Sequence, residues 1–363
     1  MSTFQAPVVR VHIEAHPDAD ALELAAVGGY RAVVRKGAFT EGQLVAYIPE
    51  QAILPEALIE ELGLVGRLGG SGKNRVTPVR LRGVLSQGLV MAARPGWAEG
   101  EDVQGPLGLQ RYEPPIPVHM TGRVTGAYFE NTLNYDIENI KRRPWLMEAG
   151  MDVVMTEKVH GSWTQITLLP ASPGDGGADG RLLVSSKGLA AKGQAFLGDD
   201  PENADNLYVR AARAHQVIER LHRVFGEREE PVHLLCEVFG QGVQDLHYGA
   251  KARSEEAPPG LRVFDLYLGR RDRGRFFDDA ELEAILEQLG LPRVPVLYRG
   301  PFDQATLEGL TEGKETVSGR ALHLREGVVV RTRAERPHPR YGRLQFKSVS
   351  EAYLLRKGGT ELQ

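Results

Sequence analysis

Thr156-Glu157-Lys158-Val159-His160-Gly161-Ser162 follows directly on the apolar run Val153-Val154-Met155. The run predicts a strand, and a lysine at its end suits a nucleophile at a strand-to-loop junction. Glycine three residues after the lysine would permit close approach of the backbone to a bound nucleotide. Lys-x-x-Gly also arises by chance, and its plain reading is an exposed lysine before a turn. The residues further along the chain decide between the two.

Five more strand-like runs each carry a charge. Ser185-Ser186-Lys187-Gly188 ends the next strand, and Leu234-Leu235-Cys236-Glu237-Val238-Phe239-Gly240 is an apolar run with one carboxylate. Arg262-Val263-Phe264-Asp265-Leu266-Tyr267 sets an aromatic beside an acid. Arg325-Glu326-Gly327-Val328-Val329-Val330-Arg331 puts a glutamate before a glycine and three valines, and Arg343-Leu344-Gln345-Phe346-Lys347-Ser348 places a lysine in a strand. An unpaired charge in a buried strand is costly. One such interruption is usually a satisfied ion pair; five in this order predict a polar site built between sheets.

Around this core the chain reads as two regimes. Short strands with Gly-rich turns fill the first hundred residues: Val8–Ile13, Leu22–Val27, Tyr30–Val34, Leu44–Pro49, Val76–Leu81 and Gly88–Met91, with a turn at Gly28-Gly29 and a short helix at Ala57–Leu62. Such a set fits a small closed barrel of the OB type. Pro114, Pro115 and Pro117 break the pattern, so residues 111–135 are expected to be a linker. Beyond it, strands mix with longer helices. Leu207, Ala211, Ala214, Ile218, Leu221 and Phe225 recur at helical spacing and predict one helix over Asn206–Phe225. Asp278 is placed to cap a helix running to Gln288, with Gly290 just past its end. Pro170–Gly180 reads as a surface loop between strands Thr164–Leu169 and Leu182–Ser186.

Composition bounds the partners. The 363 residues suit two domains, and with 42% hydrophobic and 25% charged residues the chain reads as soluble and globular. No apolar stretch approaches the roughly 20 residues that span a bilayer. The first residues lack the pattern of a signal peptide, and the single cysteine, Cys236, suits a reducing compartment, so a cytoplasmic protein is expected. The net charge of −4 decides nothing about nucleic acid, because phosphate binding needs only a local basic surface. Two clusters offer one: Lys141-Arg142-Arg143, and the run Arg331, Arg333, Arg336, Arg340, Arg343 and Lys347 opposed only by Glu335. A solvated charged face is the alternative for either. His215 and Glu219 lack a third ligand for zinc, His233 and His247 read as packing or hydrogen-bonding residues, and Cys236 points away from Glu237 into the core.

In order and wording the charged motifs resemble the covalent nucleotidyltransferase superfamily of ATP-dependent ligases and capping enzymes. Glu-Lys-Val-His-Gly-Ser is similar to RNA ligases of the phage ligase 2 and editing-ligase branch. The full layout, with a barrel in front and Lys347-Ser-Val-Ser-Glu-Ala-Tyr-Leu near the end, resembles the Deinococcus-type RNA ligase. The resemblance implies an α+β fold: an OB-like nucleic-acid-binding barrel over residues 1–110, the linker 111–135, and an adenylyltransferase domain of antiparallel sheets with flanking helices over 136–363.

It also implies roles. Lys158 would attack the ATP α-phosphorus, giving lysyl-AMP. An ordinary lysine is almost wholly protonated at pH 7, a handicap of roughly 4 kcal/mol. Nearby cations lower it, and Lys187, Lys347 and Mg²⁺ or Mn²⁺ are the candidates. Lys347 would neutralise the α-phosphate, and Lys187 would hold the ribose or the polynucleotide 5′-phosphate. Glu237 would contact the ribose and Glu326 the metal. Phe264 would stack on adenine with Asp265 beside it, Glu157 would lie near the adenine edge, His160 near the phosphates or pyrophosphate, and Gly161 would let the backbone come close to the nucleotide. Two departures stand out: Gln345 replaces the first lysine of the last motif, leaving Lys347 alone or Arg343 as substitute, and Trp163 stands where the phage-type pattern has asparagine. RNA, or a nicked RNA/DNA duplex, is the implied partner, with no membrane or protein partner. The alternatives are a DNA-ligase-type or capping-type relative and a non-catalytic RNA- or tRNA-binding protein. The first is disfavoured because sixteen residues follow Lys347, too few for the barrel those enzymes place there. The second is suggested by His16-Pro17-Asp18-Ala19-Asp20-Ala21-Leu22-Glu23-Leu24, which is similar to the opening of tRNA-binding OB domains.

Overall fold

The computed structural model of the chain describes residues 4–114, 116, 120–126, 128–170, 181–252, 257–357 and 359. Contacts divide it into two compact units. One comprises the residues up to Glu113 together with Glu138–Leu146; the other comprises Pro114–Ile137 and Met147 onward.

The first unit is built from β1 (Val8–Arg10), β2 (His12–Ala15), β3 (Leu22–Val27), β4 (Tyr30–Arg35), β5 (Leu44–Ile48), α1 (Glu56–Glu61) and β6 (Leu89–Ala92). Antiparallel β1-β5-β6 and β2-β3-β4 form two small sheets around apolar cores that include Val8, Ile48, Leu54 and Met91 on one side and Val11, Val45 and Tyr47 on the other. The run expected as one strand over Val8–Ile13 splits at Val11, whose N–H turns aside to the Gln43 carbonyl. Only Val79–Leu81 of the run expected over Val76–Leu81 is strand, pairing with Val84–Ser86. Gly28 adopts φ +57°, and a side chain on Gly29 would strike Lys141, so the turn between β3 and β4 needs both glycines. Residues 138–146, expected in the second domain, pack here: Gly29 N–H bonds the Lys141 carbonyl at 2.6 Å, and Ile140 and Leu146 are buried.

The second unit holds two sheets. A seven-stranded antiparallel sheet runs from Val124–Thr125 at one edge through the later strands. These are β8 (Ser162–Leu168), β9 (Leu182–Ser186), β10 (Ala195–Leu197), β11 (Val232–Phe239), β12 (Gly260–Leu268) and β13 (Arg275–Phe276), after β7 (Asp152–Glu157) in chain order. In space the order from that edge is β10-β9-β8-β11-β12-β13. The other sheet sets β14 (Val296–Pro301), β7, β15 (Gly327–Thr332) and β16 (Gln345–Val349) side by side, all antiparallel. The helices are α2 (Lys187–Ala191), α3 (Leu207–Ala214), α4 (Val217–Phe225), α5 (Asp279–Leu289), α6 (Gln304–Thr311) and α7 (Glu351–Leu354).

Alternation fixes the face each strand presents: in β11, Leu234, Cys236 and Val238 enter the core shared with α3, α4 and α5, so Glu237 points the other way. The α5 ends are as expected, with a capping box between Asp278 and Glu281 and Gly290 at φ +62°. The helix expected over Asn206–Phe225 is instead two, α3 and α4. Gln216 takes φ +50° and breaks the ladder, and the break turns Val217 and Leu221 into the core while leaving Ala214 exposed. Residues 111–135 are not a bare linker: Val124–Thr125 pairs with β10, and Met120, Leu133 and Tyr135 are buried. Strands β8 and β9 form the expected hairpin; its loop residues 171–180, like Pro115 and Pro117, lie outside the described residues.

Candidate active site

Register brings the motif residues together. Glu157, the last residue of β7, pairs with Val328 of β15, and Lys158 N–H bonds the Gly327 carbonyl at 2.9 Å. Lys158, just past one strand, therefore stands opposite Glu326, just before the next. Its Nζ donates to Glu326 Oε1 at 2.6 Å. Val329 pairs with Lys347 on β16, which adds a second amine from the same sheet. The seven-stranded sheet supplies Glu237 from β11 and Lys187 from the end of β9. Gly161 N–H donates to Glu237 Oε1 at 3.0 Å and ties the loop after Lys158 to that sheet.

The electrostatics follow from crowding half-buried charges. Burial, reinforced by the positive charges of Lys158 and Lys187, pushes the Lys347 amine down to about 8. Lys347 has no hydrogen-bond or ion-pair partner among the described residues. Burial raises Glu237 to about 8, helped by Glu326 and opposed by Lys158, Gly161 and Lys187, so this carboxyl is largely protonated at neutral pH. Lys187 pairs with Asp136 at 2.8 Å. Glu326 is buried, and its Oε2 has no hydrogen-bond partner.

Glu157 is buried as well. Its Oε2 accepts from Thr316 N–H at 2.8 Å and Thr316 Oγ1 at 2.6 Å, its Oε1 is unpartnered, and burial raises its pKa. His160 is gripped at both ring nitrogens, by Asp245 at Nε2 and by the Tyr353 hydroxyl at Nδ1, each at 2.9 Å. Arg356 holds Asp245 in turn and lies over the Tyr353 ring. His160 Nδ1 is 3.9 Å from the unpartnered Glu326 Oε2.

A Cβ on Gly161 would overlap the Val238 carbonyl, so this glycine lets the loop after Lys158 approach β11 closely. Two expectations are corrected. Asp265 is fully buried, with Arg343 and the Tyr135 hydroxyl on its carboxylate, so it anchors Arg343 where a contact to adenine was expected. Arg343 is thereby committed to Asp265, Glu335 and the Phe276 ring, and it does not substitute for the missing lysine; Gln345 bonds Tyr135 and Arg343. Phe264 is half-buried, with its ring 5.4 Å from that of Tyr135, which also meets Trp163.

The two basic clusters are also largely consumed. Arg331 pairs with Glu335, Arg333 with Asp152 and Asp279, and Arg343 as above, leaving Arg336 and Arg340 as the exposed arginines of that run. Lys141 donates to Gln87, and Arg142 to Glu138 and Gln5. Tyr135, Asp136, Asp245, Thr316 and Arg356 were missed from the sequence. They lie in loops or turns without periodicity, and only Tyr353 stood in a quoted motif.

No group of three or more His, Cys, Asp or Glu among the described residues is placed to hold a metal. No helix among them is long and apolar enough to cross a membrane.

Lys158 thus lies where two antiparallel sheets meet, bonded to the Glu326 carboxylate and close to the Glu237 carboxyl and the Lys347 amine. Residues 151–349 match the RNA ligase family, and the chain belongs to that family. Residues 6–93 match an OB-fold domain. Among solved structures, a variant of the RNA ligase of Naegleria gruberi with ATP and Mn is similar at 22% identity and TM-score 0.76, covering 96% of this chain and 98% of that one. The same enzyme with PPi is similar at 23% identity and TM-score 0.76, over 97% of this chain and 98% of that one. No curated protein matches the chain.

Proposed function

We propose that the chain is an ATP-dependent ligase that joins RNA 3′-hydroxyl and 5′-phosphate ends at nicks in a duplex, through a lysyl-AMP and an adenylylated 5′ end. The observation that carries this reading is the Lys158 amine bonded to Glu326 at 2.6 Å beside an unpaired Lys347. Neutral Lys158 Nζ attacks the α-phosphorus; the N–P bond forms, the P–O bond to pyrophosphate breaks, and the electron pair leaves with pyrophosphate. Glu326 Oε1 is placed to accept the ammonium proton. Lys347, mostly protonated at neutral pH, offers its charge to the α-phosphate as negative charge builds. Protonated Glu237 accepts from Gly161 at Oε1 and can donate from Oε2 to a ribose hydroxyl. Phe264, half-buried beside the Tyr135 ring, would stack on adenine.

The donor chemistry fits Mg²⁺ or Mn²⁺. The unpartnered Glu326 Oε2 is a hard oxygen, and such ions are usually held by one or two carboxylates plus phosphates and water. Bound there, the ion would supply positive charge that favours the neutral amine and screens the phosphates. In the second step the 5′-phosphate displaces Lys158 from the adenylate; in the third the 3′-hydroxyl attacks that phosphate and AMP leaves. The barrel would hold the strand backbone, making sealing salt-sensitive. A cytoplasmic location suits Cys236, a buried free thiol.

Incubation with α-labelled ATP and metal, followed by a denaturing gel, tests the first step: label on the wild-type chain and none on Lys158→Ala is expected. Absence of label with either metal sinks the reading. A panel of nicked duplexes with RNA or DNA on each side tests the substrate, with sealing expected where RNA supplies the 3′-hydroxyl.

A further inference from the structure

We infer that a basic-aromatic surface next to Lys187 seats the nucleic-acid strand that carries the reactive 5′-phosphate, with a base of that strand stacking on Phe129. The inference rests on the function proposed above and adds a place for its substrate.

Two segments of the second unit are tied at both ends. At the site end, Lys187 pairs with Asp136 at 2.8 Å; at the other, Tyr128 N–H donates to the Gly193 carbonyl at 3.1 Å. Between them runs α2, five residues and so about 7.5 Å long. The far end of the pair, two residues past α2, is therefore about 9 Å from Lys187 at the helical rise. There Phe129 is 58% exposed, an unusual position for a phenylalanine. The turn after β12 packs against it: Arg271 N–H donates to the Glu130 carbonyl at 2.7 Å, and the Arg271 guanidinium stands 4.1 Å from the Phe129 ring centroid. That guanidinium has a buried Nη1 with no partner. Arg273 and Lys192 are exposed beside these segments in sequence, against the acids Glu130, which is bonded to Arg270, and Asp272.

An exposed ring with an arginine fixed on it and further cations around is the chemistry that binds single-stranded nucleic acid. The ring offers a stacking face to any base and the cations meet phosphates. In the arginine-rich run legible in the sequence, Arg331, Arg333 and Arg343 are spent on internal carboxylates, and only Arg336 and Arg340 stay exposed.

The test uses the full chain and a fluorescent 5′-phosphorylated RNA oligonucleotide, single-stranded in one arm and placed in a nicked duplex in the other. Phe129→Ala should weaken binding about tenfold in at least one arm, and Phe129→Trp should restore it. Arg271→Ala should weaken binding and lower the salt dependence by about one phosphate contact. Label transfer from ATP to each variant should match the wild type, which separates this surface from the lysine chemistry. Wild-type affinity in Phe129→Ala, with normal labelling, overturns the inference. If Phe129→Ala does not fold, the exposed Lys192→Glu carries the same test, and unchanged affinity there overturns it too. Failure of the wild-type chain to take label would instead overturn the proposed function.

Discussion

At Gly161, whose Cβ would overlap the Val238 carbonyl, the neighbour is backbone and cannot turn aside. Gly161→Ala should push the loop after Lys158 away from β11 and break the bond to Glu237. A displacement on the order of 1 Å can cost about a hundredfold in rate, and single-turnover labelling by α-labelled ATP should fall by at least about that factor. Lys347 gives a test with a sign. Its amine is charged below about pH 8 and neutral above, so kcat/KM for self-adenylylation should decline as pH rises past about 8. Lys347→Arg, which keeps its charge, should lose that decline while retaining some activity; a decline that survives the substitution contradicts the role given to Lys347. The charged motifs were legible because each breaks an apolar strand. Their partners were not, since Thr316, Asp136 and Asp245 sit in loops whose position only the fold determines.

Among the elements, β11 carries both chemistry and stability. On the face opposite the core it bears Glu237 and, four residues earlier, His233, which is fully buried. His233 bonds the Gly269 carbonyl through Nε2 and meets Thr167 Oγ1 at Nδ1, each at 2.9 Å. Burial pushes its pKa down to about 4 against the pull of Gly269. A histidine neutral in the fold and ordinary when unfolded favours unfolding once protons are plentiful. Its stabilising effect is whole above about pH 6.5 and is lost as pH falls toward 4, by about 3 kcal/mol. Thermal melts over that window should show the loss, and His233→Asn should flatten it; an equal slope in both chains would refute the assignment. The break between α3 and α4 was not legible, because the helical spacing of apolar residues continues across it. The basic run 331–347 misled for a related reason: Glu335 is its only acid in sequence, while Asp152, Asp265 and Asp279 arrive from other elements.

For the whole molecule, the chain passes between its two units three times, at 113–114, 137–138 and 146–147. The expected boundaries at 110 and 135 missed this because residues 138–146 carry no barrel-like pattern. Deleting residues 1–113 alone should leave Ile140 and Leu146 bare and give an aggregating chain, read by light scattering. Deleting them and also replacing 138–146 by a Gly/Ser bridge should give a soluble chain that still takes label from ATP.

The same interlacing makes the molecule a natural candidate for fragment complementation. Cut once between 126 and 137, it yields an N-terminal piece lacking the segment that Gly28 and Gly29 are shaped to receive, and a C-terminal piece that carries that segment as a plug. Co-expressed as separate polypeptides, the halves hold a built-in address for one another, and their reunion needs no added tag.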